Sequence, residues 1–179
     1  MSNSSQWIID ASHSNVGFSV RHMMISNVRG EFQKLEGKVT WDPAHPESTQ
    51  IEASIDVASI NTREAQRDAH LKGADFFDVE KFPTLTFKSK SAQAKSSSEL
   101  SVKGDLTLHG VTKEVVLEVE APSAPSKDPF GNVRIGATAT TKLKRDDFGL
   151  VWNAALEAGG VLVGSEVKIT IDISLIQQK

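Results

Sequence analysis

An alternation of apolar and polar residues with a period of two runs along almost the whole chain and limits what it can fold into. In IEASIDV, Ile51, Ala53, Ile55 and Val57 share one side, and Glu52, Ser54 and Asp56 share the other. ELSVKGDLTLHG repeats the pattern with Leu100, Val102, Leu106 and Leu108 against Ser101, Lys103, Asp105 and Thr107. VKITIDISL places Val167, Ile169, Ile171, Ile173 and Leu175 together. Successive strand side chains point to opposite faces, so these segments read as antiparallel strands with one dry face. About eight are expected, over roughly 15–23, 29–42, 50–58, 84–92, 98–109, 112–121, 133–144 and 165–176.

Turn residues separate them: Pro43 and Pro46 in WDPAHPES, the serines of AKSSSE, the short HGVTK link and the longer APSKDPFGN,. One insertion departs from the rhythm. INTREAQRDAHLKG opens on Asn61 with Glu64 three residues later, a capping-box spacing,. Gly73 then offers a left-handed stop. The spacing predicts a short helix over about 62–72, too polar for a core and placed across one end of the sheet.

A chain of 179 residues supports one domain with one proper core, and neither an internal repeat nor a second domain is visible,. A net charge of -3, with both signs interspersed, argues against a nucleic-acid partner,. The absence of cysteine removes disulfides, thiolate catalysis and Cys-type zinc sites,. MSNSSQWIID lacks the basic and apolar regions of a leader, and no apolar run approaches the ~18 residues of a membrane span,. As written the chain reads as cytoplasmic, or as periplasmic or secreted if a leader was removed.

Eight antiparallel strands can close into a barrel or split into two packed sheets. Gly17, Ala53, Ala137 and Ala139 stand where a filled core would want bulk, which favours a closed barrel with a hollow bore,. The competing reading sets these small residues against Phe18, Phe32, Phe87 and Trp41 and leaves no space. Parity gives the lumen side of each segment. The early strands contribute Phe18, Val20 and His22, then Phe32, Val39 and Trp41, then Ile55. Leu71, Phe76 and Phe77 follow the helix, and Leu85, Phe87, Leu106 and Leu108 come from the middle strands. Ala137, Ala139, Phe148, Trp152, Ile169 and Ile171 complete the set. Strands of ~10 residues, tilted as barrels require, enclose a bore ~25 Å tall. Each methylene buried there contributes ~0.8 kcal/mol, so ten contribute ~8 kcal/mol before association costs. A linear hydrocarbon suits such a tube better than a compact polar metabolite.

Five motifs occur in a fixed order: HSNVGFSVRH (13–22), SINT (59–62), RDAHLKGADFFDVEKFP (67–83), VKGDLTLHGVTKEV (102–115) and KRDDFGL (144–150). In these the chain resembles the YceI-like family, which contains bacterial polyisoprenoid-binding proteins, over about residues 8–173. The resemblance implies a lipocalin-like eight-stranded barrel that holds an isoprenoid lipid or isoprenoid quinone, and a binding protein rather than an enzyme. The partners expected are an isoprenoid lipid, a transient membrane contact and a homodimer. No cofactor or metal ion is expected.

His45 lies in a Pro-rich turn, His13 and His22 bracket the first strand, and His109 ends the fifth. Without an HExxH or a close His pair they read as capping or hydrogen-bonding groups. Arg67 and His70 share a helix face, and Asp68 sits beside them,. They read as rim or head-group residues, with Arg67 or Asp68 tying the helix to the barrel through charged hydrogen bonds, as Arg145 and Asp146 would in KRDDFG. No serine occupies a strand-to-helix elbow and Asp68 lacks a matching carboxylate, so no catalytic residue is assigned. Phe76, Phe77 and Phe82 are placed to close one barrel end, and Gly159-Gly160 with Val161–Val163 reads as an apolar flap. Three alternatives stay open: an enzyme on a hydrophobic substrate using His22, Arg67 or His70, a binder of a fatty acid or fatty amide, and a filled adhesion module.

Overall fold

A computed structural model describes residues 4–179. The alternating segments form twelve strands: β1 (Ser5–Ile9), β2 (Asn15–His22), β3 (Ser26–Phe32), β4 (Leu35–Trp41), β5 (Gln50–Asp56), β6 (Ile60–Asn61), β7 (Thr84–Ala94), β8 (Glu99–Leu108), β9 (Val111–Glu120), β10 (Ser126–Lys127), β11 (Val133–Lys144) and β12 (Val163–Gln177). β1 and β2 lie end to end along one edge of β12, β3 and β4 continue one another, and so do β5 and β6. The barrel proper is therefore an up-and-down meander of eight antiparallel staves, closed where the other edge of β12 pairs with β11. The ring is narrowest in its pairing between β9 and β11, which meet over three residues, Glu118–Glu120 against Thr138–Thr140.

The sequence pattern overlooked β1, whose five residues are too few for alternation to stand out. It also ran together the staves that are interrupted. Asp10 caps a 3-10 turn between β1 and β2, its carboxylate accepting from Ser12 N at 3.1 Å. Ser59, in the turn between β5 and β6, accepts from the amides of Gln33 and Lys34 at 3.1 and 3.0 Å and so fills the gap between β3 and β4.

The helix, α1 (Ala65–Lys72), starts later than the capping box predicts. Glu64 is its N-cap, accepting from Gln66 N and Arg67 N. Asn61 instead takes the amide of Arg63 at 2.9 Å. Gly73 follows α1 with φ -80 and ψ 179, extended rather than left-handed. Residues 73–82 continue as tight turns, with Phe77 N reaching Leu71 O at 2.9 Å. These turns carry Phe76 and Phe77 back over the end of the barrel.

The outer wall is polar, and Lys90–Glu114 at 2.8 Å and Lys95–Glu118 at 2.9 Å cross it between strands. Inside, two apolar clusters centre on Phe32, Ile55 and Leu175 and on Phe87, Val102 and Phe148. They do not merge into a solid core.

Candidate ligand-binding lumen

A cavity of about 380 Å³ runs between the two clusters, within the usual range of ligand pockets,. Its wall is almost wholly apolar. The bulky rings leave it open by lying along the wall. Phe18 covers Gly30 on the neighbouring strand, and Phe87 covers Gly104, so closely that a Cβ on either glycine would collide with the ring. Phe18 and Phe32 then stand 5.7 Å apart, and Phe32 meets Phe77 edge-on at 5.9 Å. The packing that would have plugged the bore is thus taken up by glycines in adjacent strands.

Every residue assigned to the lumen by parity borders this cavity. β2 supplies Phe18, Val20 and His22, and β3 to β5 supply Phe32, Val39, Trp41 and Ile55. α1 and its turns supply Leu71, Phe76 and Phe77. Leu85, Phe87, Leu106 and Leu108 line it from β7 and β8. Ala137 and Ala139 share the inward side of β11, beside Ile169 and Ile171 of β12, and Phe148 and Trp152 border it from the connection. Val115, Leu117 and Val119 of β9 also line it. These three lie outside the set expected from sequence, although their alternation is plain in EVVLEVE.

One end of the barrel holds nearly all the polarity. His70, Phe76 and Trp152 form an aromatic triad there, with centroid separations of 5.0, 4.8 and 5.3 Å. His70 Nε2 donates to Asp75 Oδ2 at 2.9 Å, which fixes the ring. Arg67 and His70 border the cavity, but Asp68 does not. Asp68 Oδ1 accepts from Thr62 N at 2.9 Å and from Thr62 Oγ1 at 2.5 Å, so its place is behind the rim. Arg67 meets the same residue, donating through Nε to Thr62 Oγ1 at 2.8 Å and through Nη2 to Thr62 O at 2.7 Å. The buried Thr62 thereby pins α1 to the end of β6.

Arg145 departs further from expectation. It makes no hydrogen bond to Asp146, whose carboxylate instead accepts from Ser165 Oγ at 3.0 Å. The residue is 6% exposed. It donates to four main-chain carbonyls: Gly164 at 2.8 Å, Leu150 at 2.6 Å, Trp152 at 2.9 Å and Val163 at 3.2 Å. Burial pushes its pKa down, while the Asp146 charge pulls the other way,. Arg145 borders the cavity too, and every charged side chain on the lining (Arg21, Arg67 and Arg145) is cationic.

The other histidines take supporting places. His109 Nδ1 donates to Phe148 O at 3.0 Å, and its ring packs on Phe82 at 4.9 Å. His13 lies 2.8 Å from Asp10, and His45 lies 3.4 Å from Glu47. Among the described residues no group of three or more His, Cys, Asp or Glu is placed to hold a metal ion. The expected flap is a hydrogen-bonded hairpin, with Leu162 N donating to Ala154 O at 2.9 Å and Leu156 N to Gly160 O at 3.1 Å.

A closed antiparallel barrel with an apolar bore and one cationic mouth defines a binding protein for a hydrophobic ligand. The chain belongs to the YceI-like family, whose domain model matches residues 7–175. It is 39% identical over 150 residues to a UPF0312 protein of Vibrio cholerae, covering 83% of this chain and 79% of that one. Its fold is similar to that of Burkholderia cenocepacia BcnA, with a TM-score of 0.81 at 23% identity over 93% of this chain and 98% of BcnA. A polyisoprenoid binding domain from Saccharophagus degradans, implicated in plant cell wall breakdown, has the same fold, with a TM-score of 0.68 at 18% identity over 98% of this chain and 100% of that domain.

Proposed function

We propose that the protein binds one long-chain polyisoprenoid lipid or isoprenoid quinone, tail inward, for carriage, storage or presentation. The observation that carries this reading is the segregation of the lining. The apolar wall extends away from a mouth whose charged lining side chains are all cationic. A tail in the bore gains by burial of hydrocarbon, methylene by methylene. A head group at the mouth meets the positive charge of Arg21, Arg67 and Arg145 and no carboxylate on the lining itself, which favours an acceptor such as a quinone carbonyl or a phosphate over an amine,. The likeness to the Saccharophagus domain is compatible with this choice of guest. The lipid is ligand and cargo, and the reading requires neither a cofactor nor a bond-breaking step.

Native mass spectrometry after mild purification, followed by extraction and identification of the released lipid, tests the assignment. The expected result is a single adduct per chain whose mass fits an isoprenoid series. A fatty acid or fatty amide would change the ligand class, and a consistently empty chain would remove the carrier role.

A further inference from the structure

The turn joining β2 to β3 carries Met23 and Met24 at φ 50 and 60, with Ile25 N donating to His22 O at 3.2 Å. Two consecutive left-handed residues form the tight hairpin turn that Asn-Gly fits best, and methionine is a poor occupant of it. The strained backbone displays apolar side chains to solvent: Met24 is 57% exposed and Ile25 74%. A second segment is stitched to this turn. Met23 N donates to Leu162 O at 2.8 Å. The Met24 sulfur rests on Gly160, where a Cβ would collide with it. Val161, beside Gly160, is exposed as well. Together these residues make an apolar lip that continues into the bore, because His22, Leu162 and Val163 are at once its base and part of the cavity lining.

Cations flank the lip. Arg21 borders the mouth, Arg29 stands on the exposed side of β3, and neither enters an ion pair among the described residues. Glu157 is the one acidic residue between Phe148 and Ser165. Flexible, polarizable methionines beside unpaired arginines suit an apolar layer overlaid by negative charge.

We propose that this lip docks the protein on an anionic lipid bilayer, with Met23, Met24, Ile25 and Val161 entering the headgroup region and the arginines meeting lipid phosphates. Docked in this way, the mouth of the bore opens onto the acyl layer, and a guest can pass between bilayer and lumen without crossing water. The proposal rests on the lipid-carrier reading for its purpose, but the docking itself is measured separately.

The test is flotation of the full chain with phosphatidylcholine vesicles, with and without phosphatidylglycerol, at low and high salt. The wild type should float with the mixed vesicles at low salt, and less so with neutral vesicles or at high salt. Met23→Asn/Met24→Gly relieves the turn, so it should melt no lower than the wild type. It should nevertheless lose roughly tenfold or more in vesicle partitioning, which is about 1.4 kcal/mol. Arg21→Gln/Arg29→Gln should abolish the preference for anionic vesicles. Native mass spectra of the same Asn-Gly variant should keep any adduct that the wild type carries, so an empty lumen in both would count against the carrier reading and not against docking. Wild-type protein that ignores vesicles, or an Asn-Gly variant that floats like the wild type, overturns the proposal. A wild-type dimer that the variant dissociates also overturns it, by assigning the lip to a second copy of the chain.

Discussion

Arg145 Nη1 holds the main-chain carbonyl of Trp152 at 2.9 Å, and this bond sets where the indole stands at the cavity mouth. The same indole packs on His70 at 4.8 Å and on Phe76 at 5.3 Å, so a charge at the end of β11 positions an aromatic cluster built largely by α1 and its turns. Three further carbonyls on the same guanidinium bind the connection from β11 to β12 into one unit.

Arg145→Met should therefore loosen the mouth rather than only weaken the fold. Carbonyls left without a donor each cost about 1–3 kcal/mol, and water can reach some of them, so a loss of roughly 2–4 kcal/mol is expected. Denaturant unfolding measures that loss. Limited proteolysis should then cut within 150–163 before the strands are attacked.

Ala139 separates a hollow bore from a filled one. It is buried between Ile171 and Val119 on neighbouring strands and borders the cavity. Ala139→Phe should melt cooperatively within about 1 kcal/mol of the wild type, because its ring enters open space instead of incurring the 1–3 kcal/mol typical of overpacking. Its native mass spectrum should lack the lipid adduct.

Thr62 is the junction between helix and barrel. Its hydroxyl donates to Asp68 and accepts from Arg67. Thr62→Val should lower stability by about 1–2 kcal/mol. Amide hydrogen exchange should quicken in α1 more than in β7 or β8.

Acid should act through Arg134, which donates to Asp10 Oδ2 at 2.7 Å and to Asp128 Oδ2 at 2.6 Å. Chiefly because of that arginine, Asp10 is held well below the usual carboxylate range and Asp128 is lowered to about 2. Both folded values lie below the ordinary aspartate value of about 3.9, so the two groups stabilise the fold above that pH. Their contribution is lost as pH falls through the folded values. Thermal melts should drop steeply from about pH 4 towards pH 2 in the wild type, and Arg134→Gln should flatten that slope.

The eight staves were legible because period-two burial is local: each strand carries its own record of which side is dry. The lumen side followed from the same parity, down to Ala137 and Ala139 facing one way. What stayed hidden depends on distant contacts. KRDDFG reads as a charged rim motif, and only the closing of 150–164 over it makes Arg145 a buried clamp on carbonyls. Glu64, not Asn61, caps α1 because Asn61 is held in β6 opposite Glu31. The Met23–Met24 turn has no sequence signature, since its geometry calls for Asn-Gly and is imposed by the pairing of β2 with β3,.

Diffraction from crystals of protein purified without detergent or organic solvent tests the central claim most directly. Continuous elongated density with regularly spaced methyl branches is expected along the bore, from the Trp152 mouth past Ala139 towards Trp41. A bore that holds only ordered water, or that closes on its own side chains, would contradict the account.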